Sequence, residues 1–596
     1  MSAPIINDFS IRVATANGTG SQSSNTILFK SLFRMGIGVC AKNLFPSNIQ
    51  GLPTWFQIRV SPKGYQNLRE EDDIVVLMNP ETAHEDLARV HAGASVFYNA
   101  DLIRFNKEEL KSGTVLYALP VEELAKKIVD AKLRTLLKNV IYVGALAALY
   151  KIDKETLVSV IQDQFKNKAA AVSANLHALE LGIEFASENL KKADKYEFKK
   201  GTVNTDKIII DGNTACALGA IYGGCTVVAW YPITPSSSLA ETMESYLAQF
   251  RTDSDGKAKY AIVQAEDELA SIGMVIGAGW AGVRAMTATS GPGISLMNEF
   301  IGLAYYAEVP AVIVDVQRVG PSTGLPTRTQ QGDILECAQA SHGDTKHVLL
   351  FPSSPGESFE MMQAAFDLAD RLQTVVFVMS DLDLGMNSWV DQELNYSEKK
   401  FDRGKVLGEK QLDQVKQFGR YLDVDKDSIC YRTLPGTNHI KGAYFLRGTG
   451  HDEFSRYTES PEMFMKNMER LLNKWHSAKR FVPEPILSGQ PKSKVGMIAY
   501  GTTHHAVAEV LDRVKSTPLK YLRVRAYPFT ADVEDFVRSC DRVFVVEQNR
   551  DGQLRQLLEI DIPGHQQKFR SIKCYGGFPI SADFVQRELE KELGTR

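Results

Sequence analysis

Thiol clusters, long apolar runs, a charge imbalance and a basic leader are all missing from this sequence, and each absence closes a class of function. The 596 residues hold seven cysteines, Cys40, Cys216, Cys225, Cys337, Cys430, Cys540 and Cys574, and no two stand in a C-x-x-C pair. Scattered thiols argue against a cysteine-ligated iron–sulfur cluster in this chain, and the odd count argues against a disulfide framework. Buried, inert thiols are the expectation. The longest apolar runs, Ile272 to Val283 and Val140 to Tyr150, fall short of the ~20 residues that span a bilayer. Net charge is −4, from 68 basic and 72 acidic residues, so no global field recruits nucleic acid or an anionic membrane. Met1-Ser2-Ala3-Pro4 does not lead a basic segment into an apolar stretch, so no signal peptide is expected and a cytoplasmic location is. His504 and His505 have no acidic or cysteine partner at ligand spacing, and no metal site is expected. What remains is a small-molecule enzyme or a subunit of an assembly.

The length suggests roughly three to five domains, and three regions separate on pattern. From Asn7 to about Leu190, β-rich runs (Ile11–Ala16, Ile74–Met78, Ser95–Asn99, Thr114–Ala118, Ile141–Gly144) alternate with helical stretches. That alternation predicts a parallel sheet covered on both faces. A Lys-rich stretch around Lys191 to Gly201 reads as a linker. From Ile208 to Asn395 the pattern repeats with more apolar strands: Thr226–Trp230, Tyr260–Gln264, Arg284–Thr289, Ala311–Val316 and Thr374–Met379. Ser397 to Ser493 is charged and read as helical, Met463 to Arg480 most clearly. A smaller parallel domain opens at Lys494, with further strands at Tyr521–Tyr527 and Arg542–Glu547. The domain boundaries expected are 1–190, 191–207, 208–396, 397–493 and 494–596.

Chemistry concentrates at the C-terminal ends of strands in the second region, where open α/β sheets bind ligands. Tyr231-Pro232-Ile233-Thr234-Pro235-Ser236-Ser237 follows one strand. Its prolines stiffen the turn and aim Thr234 outward, although a plain strand-to-helix turn with Ser236 or Ser237 as N-cap explains it equally well. Glu266-Asp267-Glu268 opens a Gly/Ala-rich helix. Acids suit a first helical turn through the helix dipole, and a partly buried Glu there also suits acid–base work. Thr289-Ser290-Gly291-Pro292-Gly293 is a tight turn whose hydroxyls and amides could contact a ligand. Arg318 leaves another strand end beside the loop to Thr327, and Arg binds carboxylates with two parallel hydrogen bonds. In the first region Gly18-Thr19-Gly20-Ser21 ends a strand and opens a helix, a plausible anion site that lacks the dinucleotide fingerprint. Val545 to Leu554 reads as structural or interfacial.

Together the Tyr-Pro-Ile-Thr-Pro segment, Glu268 with its Gly/Ala helix, Thr289 to Gly293 and the Arg318 to Thr327 loop resemble the α subunit of 2-oxoacid:ferredoxin oxidoreductases. The form resembled is the 2-oxoglutarate type with the γ domain fused ahead of α, and the resemblance covers nearly the whole chain. It implies a multidomain α/β fold: a Rossmann-like γ-type domain, a thiamine-diphosphate (pyrimidine-type) domain and a transketolase C-terminal-like domain.

The resemblance also implies roles. Glu268, with Glu266 as rival, would contact the aminopyrimidine of the cofactor; Thr234, Pro232, Ile233, Ser290 and Gly291 would line the cofactor. Thr234, Arg318 and Thr327 would bind substrate, and Gly18, Thr19, Gly20 and Ser21 would contact coenzyme A, though Ser and Gln stand where that loop often carries glycines. Thiamine diphosphate would be shared with an obligate β subunit. That subunit would carry Mg²⁺ and a [4Fe-4S] cluster, because the family's Gly-Asp-Gly diphosphate motif is missing here along with clustered cysteines. Ferredoxin would be the electron partner, and the assembly a dimer of αβ heterodimers. The reaction implied is reversible, coenzyme A-dependent oxidative decarboxylation of 2-oxoglutarate to succinyl-CoA. Pyruvate or branched 2-oxo acids, a complete thiamine enzyme and a non-catalytic assembly subunit are the alternatives.

Overall fold

All five apolar runs of the second region form strands in the computed structural model: Val227–Trp230, Ala261–Gln264, Ala285–Thr289, Ala311–Gln317 and Val375–Asp381. The structure describes residues 3–46, 50–128, 130–397 and 399–594; Met1 and Ser2, part of the expected leaderless start, lie outside them. The chain divides into two compact units. One comprises Met1–Ile209 with Asn387–Glu393 and Pro579–Arg587, the other Ile210–Met386, Leu394–Phe578 and Glu588–Arg596. No helix among the described residues is long and apolar enough to cross a membrane.

In the second unit those five strands join Val348–Leu350 and Ala526–Tyr527 in a seven-stranded sheet. All its pairings are parallel except the last, where Ala526–Tyr527 runs antiparallel to Val348–Leu350. Strand Val227–Trp230 pairs with Ala261–Gln264 on one side and with Ala285–Thr289 on the other. The chain therefore reverses its direction of winding there, and the carboxyl ends of these strands open a crevice. Unbroken apolar runs such as Val375 to Met379 are buried on both faces, as a parallel sheet requires. A second sheet of five strands is built from Ile486–Gly489, Lys520–Val524, Val495–Tyr500, Arg542–Glu547 and Phe569–Lys573. A buried polar network joins the two sheets: Gln331 donates to Asp381 (3.0 Å) and Thr502 (3.1 Å), and Thr502 donates to Asp381 (2.6 Å).

The stretch read as charged and helical is largely irregular, with one long helix, Pro461–Ser477. Its charges reach inward. Arg470 and Lys474 grip the fully buried Glu308 (2.5 and 2.7 Å) and hold its carboxyl well below the usual range against the cost of burial.

The first unit departs from its expected parallel sheet. Its six strands run in the order Val39–Leu44, Pro53–Val60, Phe9–Ala16, Ile74–Leu77, Ser95–Asn99, Val115–Leu119. The first two pairings are antiparallel and the rest parallel. The two added strands carry Lys42, Gln57 and Arg59, polar residues that hid them; Arg59 is buried and donates to the Asn67 carbonyl (2.9 Å). Ile141–Gly144, read as a strand, lies inside the helix Arg134–Tyr150. A Cβ at Gly144 would collide with the Leu179 carbonyl of helix Ala169–Asn189, so this apolar run is a helix packed tightly on another. The Lys-rich stretch carries a short strand, Tyr196–Glu197, paired with Ile5–Ile6, and Tyr196 is fully buried.

Candidate active site

At the switch point the turn after Trp230 is pinned by its own helix. The Ser237 hydroxyl accepts from the Ile233 amide (3.0 Å), and Ser236 donates to the Ile233 carbonyl (3.1 Å). Ser236 occupies the N-cap position without capping through its side chain. Asn213, which sequence reasoning passed over, donates to the Pro235 carbonyl (2.8 Å). Arg318 is 8% exposed, and its Nη1 donates to the Thr234 carbonyl at 2.7 Å, so the structure brings these two expected residues together. Burial pulls the Arg318 guanidinium below its usual range, opposed by the negative Asp333.

The three acids separate by environment. Asp267 caps the helix, accepting from the Ala270 amide (2.6 Å); Glu266 is exposed; Glu268 is 6% exposed. No hydrogen bond engages the Glu268 carboxylate among the described residues. Gly293 explains how Glu268 reaches the neighbouring turn: a Cβ there would stand 2.9 Å from Glu268 Cγ. In that turn Ser290 is fully buried, and its Oγ has no partner among the described residues. Glu268, Ser290 and Gly291 thus gather around the amino end of the helix Gly291–Ala307. A partnerless buried carboxylate and hydroxyl beside a helix amino end fit the aminopyrimidine side of thiamine diphosphate, which offers both donors and acceptors.

A cavity of about 690 Å³ opens at this face. Gly291, Ser295, Arg318 and Asp333 line one wall, and Asn549, Arg550 and Gln553 another. The latter three come from the segment read as structural or interfacial. Asn549 donates to the Gln331 carbonyl (3.0 Å), and Gln553 accepts from the Leu335 amide (3.2 Å), so the segment also fixes the loop that carries Asp333. Asp333 gave no sequence signal beyond a helix cap. Thr327 is not among the residues lining the cavity; its hydroxyl and its carbonyl accept from the adjacent Arg328 guanidinium.

In the first unit, the Thr19 hydroxyl donates to the Ala16 carbonyl (2.7 Å), and Asn139 donates to both the Thr19 carbonyl (2.7 Å) and its hydroxyl (3.0 Å). Gly20, at φ +77°, begins the helix Ser21–Arg34 with no side-chain cap on its first amides.

The second unit carries the sequence of a thiamine-dependent oxidoreductase: residues 218–424 match the family described as pyruvate flavodoxin/ferredoxin oxidoreductase, thiamine diphosphate-binding. Residues 10–185 match the family described as pyruvate ferredoxin/flavodoxin oxidoreductase. The alpha subunit of 2-oxoacid:ferredoxin oxidoreductase 2 from Aeropyrum pernix is 30% identical, over 92% of this chain and 92% of that one. The 2-oxoglutarate synthase subunit KorA of Methanocaldococcus jannaschii is 36% identical over 57% of this chain and 88% of its own. A solved 2-oxoglutarate:ferredoxin oxidoreductase from Magnetococcus marinus, with 2-oxoglutarate, coenzyme A and succinyl-CoA bound, matches with a TM-score of 0.89 at 29% identity, over 98% of this chain and 100% of that one. The chain belongs to the 2-oxoacid:ferredoxin oxidoreductase alpha-subunit family.

Proposed function

We propose that the chain is the γα-fused subunit of a 2-oxoglutarate:ferredoxin oxidoreductase, interconverting 2-oxoglutarate and coenzyme A with succinyl-CoA and carbon dioxide and passing electrons to ferredoxin. The observation that carries the substrate is the full-length likeness to the Magnetococcus marinus enzyme, which is described with 2-oxoglutarate, coenzyme A and succinyl-CoA bound. The domain reading that goes with it is a γ-type domain (1–190), a linker (191–207), a pyrimidine-binding domain (208–396), a connecting segment (397–493) and a transketolase C-terminal-like domain (494–596).

Thiamine diphosphate, when bound, supplies the electron sink for decarboxylation. Glu268 would hold a proton at a pyrimidine ring nitrogen, the task for which a buried carboxyl with no partner of its own is suited. Pro232, Ile233, Ser290 and Gly291 would shape the cofactor's surroundings. Arg318, braced by the Thr234 carbonyl, would bind the 2-oxo acid's carboxylate, with Thr234 against substrate and cofactor. Thr327 would reach the substrate only by leaving Arg328. The loop Gly18 to Ser21 would contact coenzyme A through the uncapped amides of its helix.

A β subunit carrying Mg²⁺ and a [4Fe-4S] cluster completes the proposal, in a dimer of αβ heterodimers located in the cytoplasm. An exposed apolar stripe supports a partner at this face. Leu269, Met274 and Trp280 stand exposed on the helix that begins with Glu268, and a Cβ at Gly277 on the same helix would meet nothing. The test is co-expression with the cognate β subunit, followed by a panel of 2-oxo acids with a viologen acceptor. The complex is expected to oxidise 2-oxoglutarate fastest and to hold iron, and the single chain to do neither. A stoichiometric cluster in the single chain would sink the two-subunit reading.

A further inference from the structure

The loop that leaves the strand Ala311–Gln317 at Arg318 returns beside its own start. The Val319 amide donates to the Arg328 carbonyl (3.0 Å), the Gly320 amide to Gln330 Oε1 (3.2 Å), and the Asp333 amide to Gln317 Oε1 (3.1 Å). Arg318, Val319 and Gly320 on the outgoing limb line the cavity, and so do Gln330, Gly332 and Asp333 on the returning limb. Gln331, between them, points away from it and is 1% exposed.

Every polar atom of Gln331 is engaged. Its Nε2 donates to Asp381 Oδ2 (3.0 Å) and Thr502 Oγ1 (3.1 Å), and its Oε1 accepts from the Thr503 hydroxyl (2.9 Å). Its amide donates to the Gln548 carbonyl (3.0 Å), and its carbonyl accepts from the Tyr500 hydroxyl (3.2 Å) and Asn549 Nδ2 (3.0 Å). Asp381 ends the neighbouring strand Val375–Asp381 and is 2% exposed; it also accepts from the Thr502 hydroxyl (2.6 Å) and the Leu384 amide (2.9 Å). Burial first, and the nearby Asp383 second, push the Asp381 carboxyl up, and the donors from Thr502, Leu384 and Gln331 oppose that rise. A buried carboxylate that gathers donors from separate segments holds them with little latitude, because moving any one leaves charge unpaired. Apart from Asp381, the partners of Gln331 all come from residues 500–549, so the segment that carries the second sheet holds this wall of the cavity through Gln331.

We propose that Gln331 is a positioning residue for the 2-oxo acid: clamped on Asp381, it fixes the returning limb, and the returning limb fixes the outgoing one on which Arg318 stands. The proposal rests on the reading of Arg318 as the carboxylate ligand. Neither Gln331 nor Asp381 touches substrate. Releasing the clamp frees the amides of Val319 and Gly320 from their places, so Arg318 meets the carboxylate from a displaced backbone. The loss falls on substrate binding first and on the chemical step second.

The test exchanges the two groups of the clamp and reads steady-state kinetics in the αβ complex. Gln331→Glu sets a second carboxyl against Asp381, and Asp381→Asn sets an amide among donors, so each alone breaks the contact. For each, kcat/KM for 2-oxoglutarate should fall by on the order of ten- to a hundredfold, with more of the loss in KM than in kcat and the KM for coenzyme A moving less. In the double variant the new amide donates to the new carboxylate, Thr502 can donate to it as well, and the KM for 2-oxoglutarate should return most of the way to the wild-type value. Single variants whose Tm falls while KM holds, or a double variant that regains Tm without regaining KM, overturn the positioning role and leave a structural clamp. If the single variants do not assemble, Thr503→Val decides, because it removes the hydroxyl that donates to Gln331 Oε1. A KM for 2-oxoglutarate raised about fivefold supports the role, and an unchanged KM overturns it. Arg318→Lys separates this proposal from the reading beneath it. An unchanged KM there removes Arg318 as the ligand, whereas a raised KM beside unmoved Gln331 and Asp381 variants sinks the clamp alone.

Discussion

Two strand-to-helix turns of nearly the same composition, one in each unit, behave in opposite ways. Gly18 to Ser21 and Ser290 to Gly293 both offer glycines, a hydroxyl and a helix amino end. In the first, Thr19 is bound to Ala16 and Asn139, so its side chain is fully engaged within its own unit. In the second, the Ser290 hydroxyl is sealed from solvent with no partner among the described residues, and the Glu268 carboxylate makes no hydrogen bond among them either. Burying an unpartnered polar group costs about 1–3 kcal/mol, and a chain keeps such groups where something else pairs with them. The composition of a turn does not separate the two cases; the bookkeeping of its hydrogen bonds does.

The contrast can be tested by asking which turn, when damaged, loses chemistry and which loses stability. Glu268→Gln should give the largest effect, a fall in turnover of ~10²–10⁴ in the αβ complex with an unchanged Tm, because its carboxylate holds nothing among the described residues. Near-normal turnover, together with an inactive Glu266→Gln, would move the acid–base role to Glu266. Arg318→Lys replaces a planar fork by a point charge, and kcat/KM should fall by on the order of ten- to a hundredfold for 2-oxoglutarate and pyruvate alike. A loss confined to 2-oxoglutarate would mean that Arg318 meets the distal carboxylate instead. Gly20→Ala should do the reverse of both. At φ +77° its new Cβ would stand 2.5 Å from the Leu136 carbonyl of a packed helix, costing about 1–3 kcal/mol in chemical denaturation, with its kinetic effect confined to the KM for coenzyme A. A Gly20→Ala chain of unchanged stability and lost turnover would erase the distinction between the turns.

What was legible in the sequence was what repeats. Five apolar strands of the second unit and the turns that follow them were readable because a parallel sheet buries both faces of each strand. The same logic misled at Val140 to Tyr150, where an equally apolar run is a helix buried all round, its Gly144 pressed on the next helix. Pro53–Val60 escaped because its polar residues are satisfied by distant partners such as Asn67 and Asp72, which local pattern does not reveal. At the site, Glu268, Thr234 and Arg318 stood in recognisable turns. Asp333 did not: a lone acid in a polar loop carries no mark of the cavity that it lines together with Arg318.

The antiparallel strand Ala526–Tyr527 closes the seven-stranded sheet from nearly two hundred residues downstream of its partner Val348–Leu350. Until that strand emerges from the ribosome, the edge at Val348–Leu350 presents unpaired amides and carbonyls between buried apolar side chains. A nascent chain halted after Ser493 therefore displays a ready template for intermolecular pairing, and completion of the C-terminal region is what ends its exposure to aggregation.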